Sequence, residues 1–158
     1  MSETIRTGGC QCGAVRFRIR GELGRASICH CRMCQKAFGG FFGPLVTVPR
    51  ERLEWTREEP SYFQSSVNIA RGFCKQCGTP LTYRYPQGID IAIGAFDDRD
   101  NLMPRIQVNY SARLPWVEEI FDQPHRNDAE DAMRQESIIS FQHPDHDTEN
   151  WPRQGLKL

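Results

Sequence analysis

Apolar and polar positions alternate in short runs along most of the chain. Between Ala14 and Ile19, the apolar Val15, Phe17 and Ile19 alternate with Arg16 and Arg18, and Arg20 continues the polar series. A period of two predicts a strand with one face in a core and its arginines on a solvated face. Leu45–Val48, Arg52–Trp55, Ser61–Gln64 and Leu81–Tyr85 are brief segments rich in β-branched or aromatic residues, the composition of strands. From Ile89 to Phe96, residues Ile89, Ile91 and Ile93 fall on one face, and Arg105–Tyr110 reads the same way. Gly21, Gly24, Gly43, Pro44, Pro60, Pro86 and Gly88 punctuate these runs. The expected fold is mainly β, built of antiparallel sheets with little helix.

Helical signals are confined to two places. Arg32–Phe38 follows Cys31 and reads as a turn of helix that brings Cys31 and Cys34 together. Asn127 is placed to cap a helix running to Ser137, with Glu130 three residues on. Its apolar face (Ala129, Ala132, Met133) is thin, so it is expected to pack at an edge. The polar tail from His143 onward carries Pro144, Pro152 and Gly155, with Trp151 as its anchor. Residues 1–125 form the expected β domain, and residues 126–158 a helix and tail packed on the same domain. His143 and His146 read as solvated, and Asp97, Asp98 and Asp100 as a turn, since the glycine and glutamate spacing of a calcium loop is absent.

Composition narrows the class. The 158 residues are 39% hydrophobic with zero formal net charge, mean hydropathy −0.58 and pI near 6.9. That balance provides no overall positive field for nucleic acid or an anionic membrane. No apolar run reaches the length of a membrane span. The polar start, Met1–Gly9, lacks the apolar centre of a signal peptide. The expected location is a reducing cytoplasm, where thiols stay free or bind metal. A homodimer is compatible with these features and not required by them.

Thiols change the picture most. All seven cysteines fall into three groups: Cys10 and Cys12; Cys29, Cys31 and Cys34; Cys74 and Cys77. Paired thiolates two or three positions apart grip one metal from a tight turn, and two such pairs close a tetrahedral zinc site. Gly8, Gly9, Gly13 and Gly78 flank the pairs and ease such turns. The simplest partition joins Cys10 and Cys12 to Cys74 and Cys77, leaving Cys29, Cys31 and Cys34 as a self-contained trio. A site of Cys10, Cys12, Cys29 and Cys31 is the competing partition. Zinc is favoured over an iron–sulfur cluster because the spacing matches no ferredoxin pattern. Three thiolates on a divalent zinc leave a net negative centre, a poor Lewis acid that suits a soft fourth ligand such as a substrate thiolate. The competing reading makes the trio a second structural site. His30 lies between two of the ligands.

The stretches Gly8–Phe17, Cys29–Gly40 and Phe73–Leu81 occur in the order and spacing of the glutathione-dependent formaldehyde-activating enzyme family, which includes centromere protein V. The resemblance spans about Thr7 to Trp116 and all seven cysteines. It implies a β-tent fold with two zinc ions per chain: a structural zinc on Cys10, Cys12, Cys74 and Cys77, and a labile catalytic zinc on Cys29, Cys31 and Cys34. It further implies a carbon–sulfur lyase of the S-(hydroxymethyl)glutathione synthase type, joining glutathione to formaldehyde. Many relatives carry His where Gln107 stands here, a departure that bears on substrate.

The leading expectation is therefore a zinc-dependent, lyase-like enzyme joining a thiol, glutathione or similar, to a small aldehyde. His30 is the expected proton shuttle, and Arg32, Lys36 and Arg71 are candidates for substrate carboxylates. The alternative is a non-catalytic zinc-stabilised β scaffold that docks a protein partner. Methionine sulfoxide reduction, found elsewhere on this fold, needs a redox-active cysteine outside the zinc ligands.

Overall fold

The computed structural model describes residues 3–150. Ten strands carry the fold: β1 Ile5–Gly9, β2 Arg16–Arg20, β3 Ala26–Cys29, β4 Gly43–Val48, β5 Leu53–Trp55, β6 Ser61–Ser66, β7 Ile69–Phe73, β8 Pro80–Tyr85, β9 Gly88–Ala92 and β10 Ile106–Val108. Helix α1 spans Arg32–Phe38 and α2 spans Asp128–Glu136. The protein is mainly β, as the alternation predicts. β1, β2 and β5 make a three-stranded sheet, and the other seven run in the order β10-β3-β4-β9-β8-β7-β6. Pairing is antiparallel except between β10 and β3, which run parallel, with Gln107 opposite Ile28.

One apolar cluster draws on both sheets. Phe17 and Ile19 from β2 meet Val46 and Val48 from β4, Leu81 from β8, Ile89 and Ile91 from β9, and Phe96. Phe17 is fully buried and stands edge-on to Phe96 at 5.2 Å and to Trp55 at 6.0 Å. Its truncation to alanine is worth about 3–5 kcal/mol. Gly8 permits this packing: a Cβ there would lie 2.2 Å from the Ala95 carbonyl oxygen and 2.4 Å from the Phe17 ring.

Three details depart from expectation. Arg16 does not share a solvated face with Arg18 and Arg20; it is 3% exposed and paired to Asp97. A charged side chain tolerates burial when its counter-charge is brought to it, and the bend after Phe96 does so. His143 is also buried, its ring against Gly13. Helix α2 has Asn127 as its N-cap, the side-chain oxygen accepting from Ala129 N–H at 2.9 Å, yet it has no buried residue. Contact with the body resumes at His143, whose N–H donates to the Gln11 carbonyl at 2.7 Å. Trp151, the expected anchor, lies outside the described residues.

Candidate metal centres

Two tight turns of like form carry four cysteines. After β1, Cys10 N–H donates to the Val15 carbonyl at 2.9 Å and Gly13 N–H to the Cys10 carbonyl at 3.0 Å; after β7, Cys74 N–H donates to the Thr79 carbonyl at 3.0 Å and Gly78 N–H to the Cys74 carbonyl at 2.8 Å. Gly13 and Gly78 have φ of +74° and +77°, the left-handed region where glycine costs least. Each turn aims backbone N–H groups at sulfur, Val15 to Cys10 at 3.2 Å and Gln76 to Cys74 at 3.4 Å.

The Sγ atoms of Cys10, Cys12, Cys74 and Cys77 all lie within 4.8 Å of one another. Zinc–sulfur bonds of about 2.3 Å at tetrahedral angles put sulfurs roughly 3.8 Å apart. Cys10 and Cys12 are 3.6 Å apart, and Cys12 and Cys74 are 3.8 Å apart, so the group fits such an ion. Charge leads to the same reading. Burial drives the Cys10 and Cys12 thiols upward. At Cys77 burial is outweighed by hydrogen bonds from Thr79 and Cys12, and the thiol falls to about 6. Crowded thiols cannot all ionise alone, but a shared cation lets them.

The second group forms where β3 runs into α1. Cys29 closes the strand, Cys31 caps the helix and Cys34 sits one turn in. Their sulfurs also lie within 4.8 Å of one another, and no further described His, Cys, Asp or Glu joins them. Gly43 on β4 leaves the space: a Cβ there would meet Phe38 at 2.8 Å and Cys34 at 3.0 Å. Each sulfur accepts from an N–H donor: the Asn109 amide reaches Cys29 at 3.2 Å, Cys34 N–H reaches Cys31 at 3.4 Å, and the Arg71 guanidinium reaches Cys34 at 3.5 Å. Sulfur accepts best as thiolate, the form that binds metal. At Cys29 burial is outweighed by hydrogen bonds from Cys31 and Asn109, lowering the thiol. At Cys34 burial prevails over Arg71 and holds the thiol up at about 12.

His30 is 1% exposed. Its Nε2 lies 2.8 Å from Gln107 Oε1, and its ring sits edge-on to Phe42 and Tyr110. Gln107 thus serves as the partner that orients the imidazole. Nδ1 has no hydrogen-bond partner among the described residues. Of the three cationic candidates, Arg71 is buried beside Cys34, while Arg32 and Lys36 are carried on α1, away from that burial. Sequence reasoning missed Asn109, which lies 80 positions from Cys29 and reaches it only because β10 pairs in parallel with β3. A cleft of about 440 Å³ lies beside Cys10 and Cys77 and is bordered by Arg16, Asp97 and His143.

A mainly β fold with two cysteine groups that could each hold a metal ion defines a cysteine-rich β domain. Residues 5–112 match the family model of the glutathione-dependent formaldehyde-activating enzyme, and the chain belongs to that family. A Schizosaccharomyces pombe protein named as an uncharacterized lyase is 30% identical over 81 residues, which make up 51% of this chain and 58% of that relative. This chain thus spans under two thirds of the relative's length. A crystal structure of a Rhodobacter sphaeroides protein is similar in fold, with TM-score 0.50 and 20% identity over 65% of this chain and 99% of that one. No helix among the described residues is long and apolar enough to cross a membrane.

Proposed function

We propose that the chain is a zinc-dependent, carbon–sulfur lyase-like enzyme that joins a thiol, glutathione or similar, to formaldehyde or another small electrophile. Family membership and the lyase name of the fungal relative support the class. The observation that carries the reading is the trio: three convergent sulfurs, each hydrogen-bonded, with no fourth described metal-binding side chain among them. In this reading Cys10, Cys12, Cys74 and Cys77 hold a structural zinc, and Cys29, Cys31 and Cys34 a catalytic one.

Zinc bound by the trio would supply a place for a substrate sulfur, kept deprotonated and nucleophilic at neutral pH. The chain's own residues shape the reaction around that sulfur. Asn109 and Arg71 hold two of the three cysteine sulfurs in position. The substrate thiolate attacks the carbonyl carbon, a carbon–sulfur bond forms, and the carbonyl electron pair moves to oxygen, which takes up a proton to give a hemithioacetal. His30 is the proposed proton carrier; Nε2 is engaged by Gln107, so Nδ1 is the nitrogen with capacity to spare. Much of the gain comes from holding the two reactants together, since thiols and formaldehyde combine unaided. All seven cysteines fall in the two groups, which leaves no separate thiol for sulfoxide reduction.

The test is the rate of hemithioacetal formation and breakdown, measured by exchange spectroscopy with and without fully zinc-loaded protein. Acceleration that disappears in Cys31→Ser is expected. No acceleration at two zinc ions per chain would leave the protein a zinc-stabilised scaffold.

A further inference from the structure

Arg71 is a buried cation without a carboxylate. It is 8% exposed, and no described Asp or Glu forms an ion pair with it. Its contacts are few: Nη2 reaches Cys34 Sγ at 3.5 Å, the guanidinium lies 5.0 Å from the centre of the Tyr83 ring, and Nε has no hydrogen-bond partner among the described residues. Cross-strand pairing sets this arrangement, because Arg71 on β7 stands opposite Tyr83 on β8. Burying an uncompensated guanidinium is costly, and an aromatic face offsets only part of that cost. The anionic partner the site offers is sulfur.

We propose that Arg71 is the resident counter-charge of the three-cysteine site, tuning it to hold a metal and then to accept a neutral or charged thiol as its thiolate. The inference rests on the trio binding a metal. Three thiolates on a divalent ion carry one net negative charge, which Arg71 cancels. An incoming thiolate then raises the local charge to minus one, rather than to the minus two it would reach without Arg71. This role differs from recognition of a substrate carboxylate: it acts on the sulfur end of any thiol, including one with no carboxylate.

The experiment uses the full chain loaded with zinc or cobalt(II), comparing wild type, Arg71→Met and Arg71→Lys. Zinc held by the trio is measured by competition with a chromophoric chelator. Thiol binding is measured by the rise of the sulfur-to-cobalt charge-transfer band during titration with 2-mercaptoethanol or glutathione. The expected loss in Arg71→Met is roughly 10–100-fold in metal affinity at the trio, with metal at the four-cysteine group unchanged. A loss on the order of tenfold is expected for both thiols alike, and Arg71→Lys recovers most of each. Unchanged metal affinity in Arg71→Met, a loss confined to glutathione, or no recovery with lysine overturns the proposal. Should Arg71→Met not fold, Arg71→Gln, which keeps donors but not charge, carries the same comparison. A wild-type chain that loads only the four-cysteine group overturns both this proposal and the functional reading beneath it; two metals in wild type with an indifferent Arg71 overturns this proposal alone.

Discussion

Arg16 holds Asp97 through two guanidinium–carboxylate hydrogen bonds of 2.8 and 2.5 Å, and the same guanidinium reaches Asp147 at 2.7 Å. The pair joins β2 to the bend after Phe96, and Thr7 on β1 donates to the same carboxylate at 2.5 Å. Four segments, around Thr7, Arg16, Asp97 and Asp147, therefore meet at one buried ion pair.

Acid stability should report this pair. Burial alone would raise the Asp97 carboxyl, but the bonds from Arg16 and Thr7 outweigh it and hold the group below the usual carboxylate range. A carboxyl whose folded pKa lies below its unfolded one stabilises the fold above about pH 4, and that contribution fades as pH falls further. Asp97→Asn is expected to lose about 2–3 kcal/mol at neutral pH. The gap between the two proteins should narrow below about pH 4 in urea unfolding at stepped pH. A gap that stays constant through that range would show that Asp97 is not the linked group.

The segment around His143 should act as a strap on the first cysteine turn. Arg57 donates to the Gly13 carbonyl at 2.8 Å and to the Thr148 carbonyl and hydroxyl at 2.7 and 2.9 Å. His143 Nε2 lies 3.0 Å from the same hydroxyl. Arg57→Ala removes the link between turn and strap. The expected result is faster proteolysis between residues 143 and 150, a loss of about 1–2 kcal/mol, and faster release of metal from the four-cysteine group to a chelator. Unaltered proteolysis would mean the strap is held by its other contacts.

Much of this architecture was legible in the sequence, for physical reasons. Period-two alternation marked β2 and β9, and β-branched and aromatic composition marked β4 and β8, because each contributes to the apolar cluster. Helix α1 was legible because Cys31 and Cys34 had to converge. β3 and β7 were not: Ala26–Cys29 and Ile69–Phe73 interleave small, polar and charged residues, and pairing on both sides makes them strands. Clustered cysteines revealed both thiol groups, since metal ligands come in local pairs. Their hydrogen-bond donors were hidden, because Arg71 and Asn109 reach the trio through tertiary contact. Arg16 was misread because alternation reports which residues share a face, not whether a counter-charge waits there.

The two thiol groups should differ sharply in what their loss costs. Cys74 is 1% exposed and belongs to the apolar cluster, whereas Cys31 is half-buried at the start of α1. Cys74→Ser opens the four-cysteine group, which in the proposed reading ties the turn after β1 to the turn after β7 through a structural zinc; such an ion contributes about 10 kcal/mol or more in small domains. Insoluble or unfolded protein is expected. Cys31→Ser should keep a wild-type far-ultraviolet circular dichroism spectrum and lose one metal per chain by native mass spectrometry. Equal stability of the two variants would mean the four-cysteine group is not what holds the sheets.

Asn109 offers a way to separate hydrogen bonding to the trio from backbone strain. It is the one described non-glycine residue with positive φ, at 53°, and its amide donates to Cys29 Sγ at 3.2 Å. A left-handed backbone costs most side chains roughly 1–2 kcal/mol, a penalty asparagine tolerates and alanine does not. Asn109→Gly removes the donor while suiting the backbone, although glycine gives up about 0.5–1 kcal/mol in chain entropy. Asn109→Ala removes the donor and adds strain. Both variants are expected to weaken metal binding at the trio about tenfold, because both strip Cys29 of its side-chain amide donor. Thermal unfolding should place Asn109→Ala below Asn109→Gly by roughly 0.5–1 kcal/mol, the strain less the entropy of glycine. Equal metal affinity in wild type and both variants would remove Asn109 from the site; a deficit in Asn109→Ala alone would assign its effect to the backbone, not to sulfur.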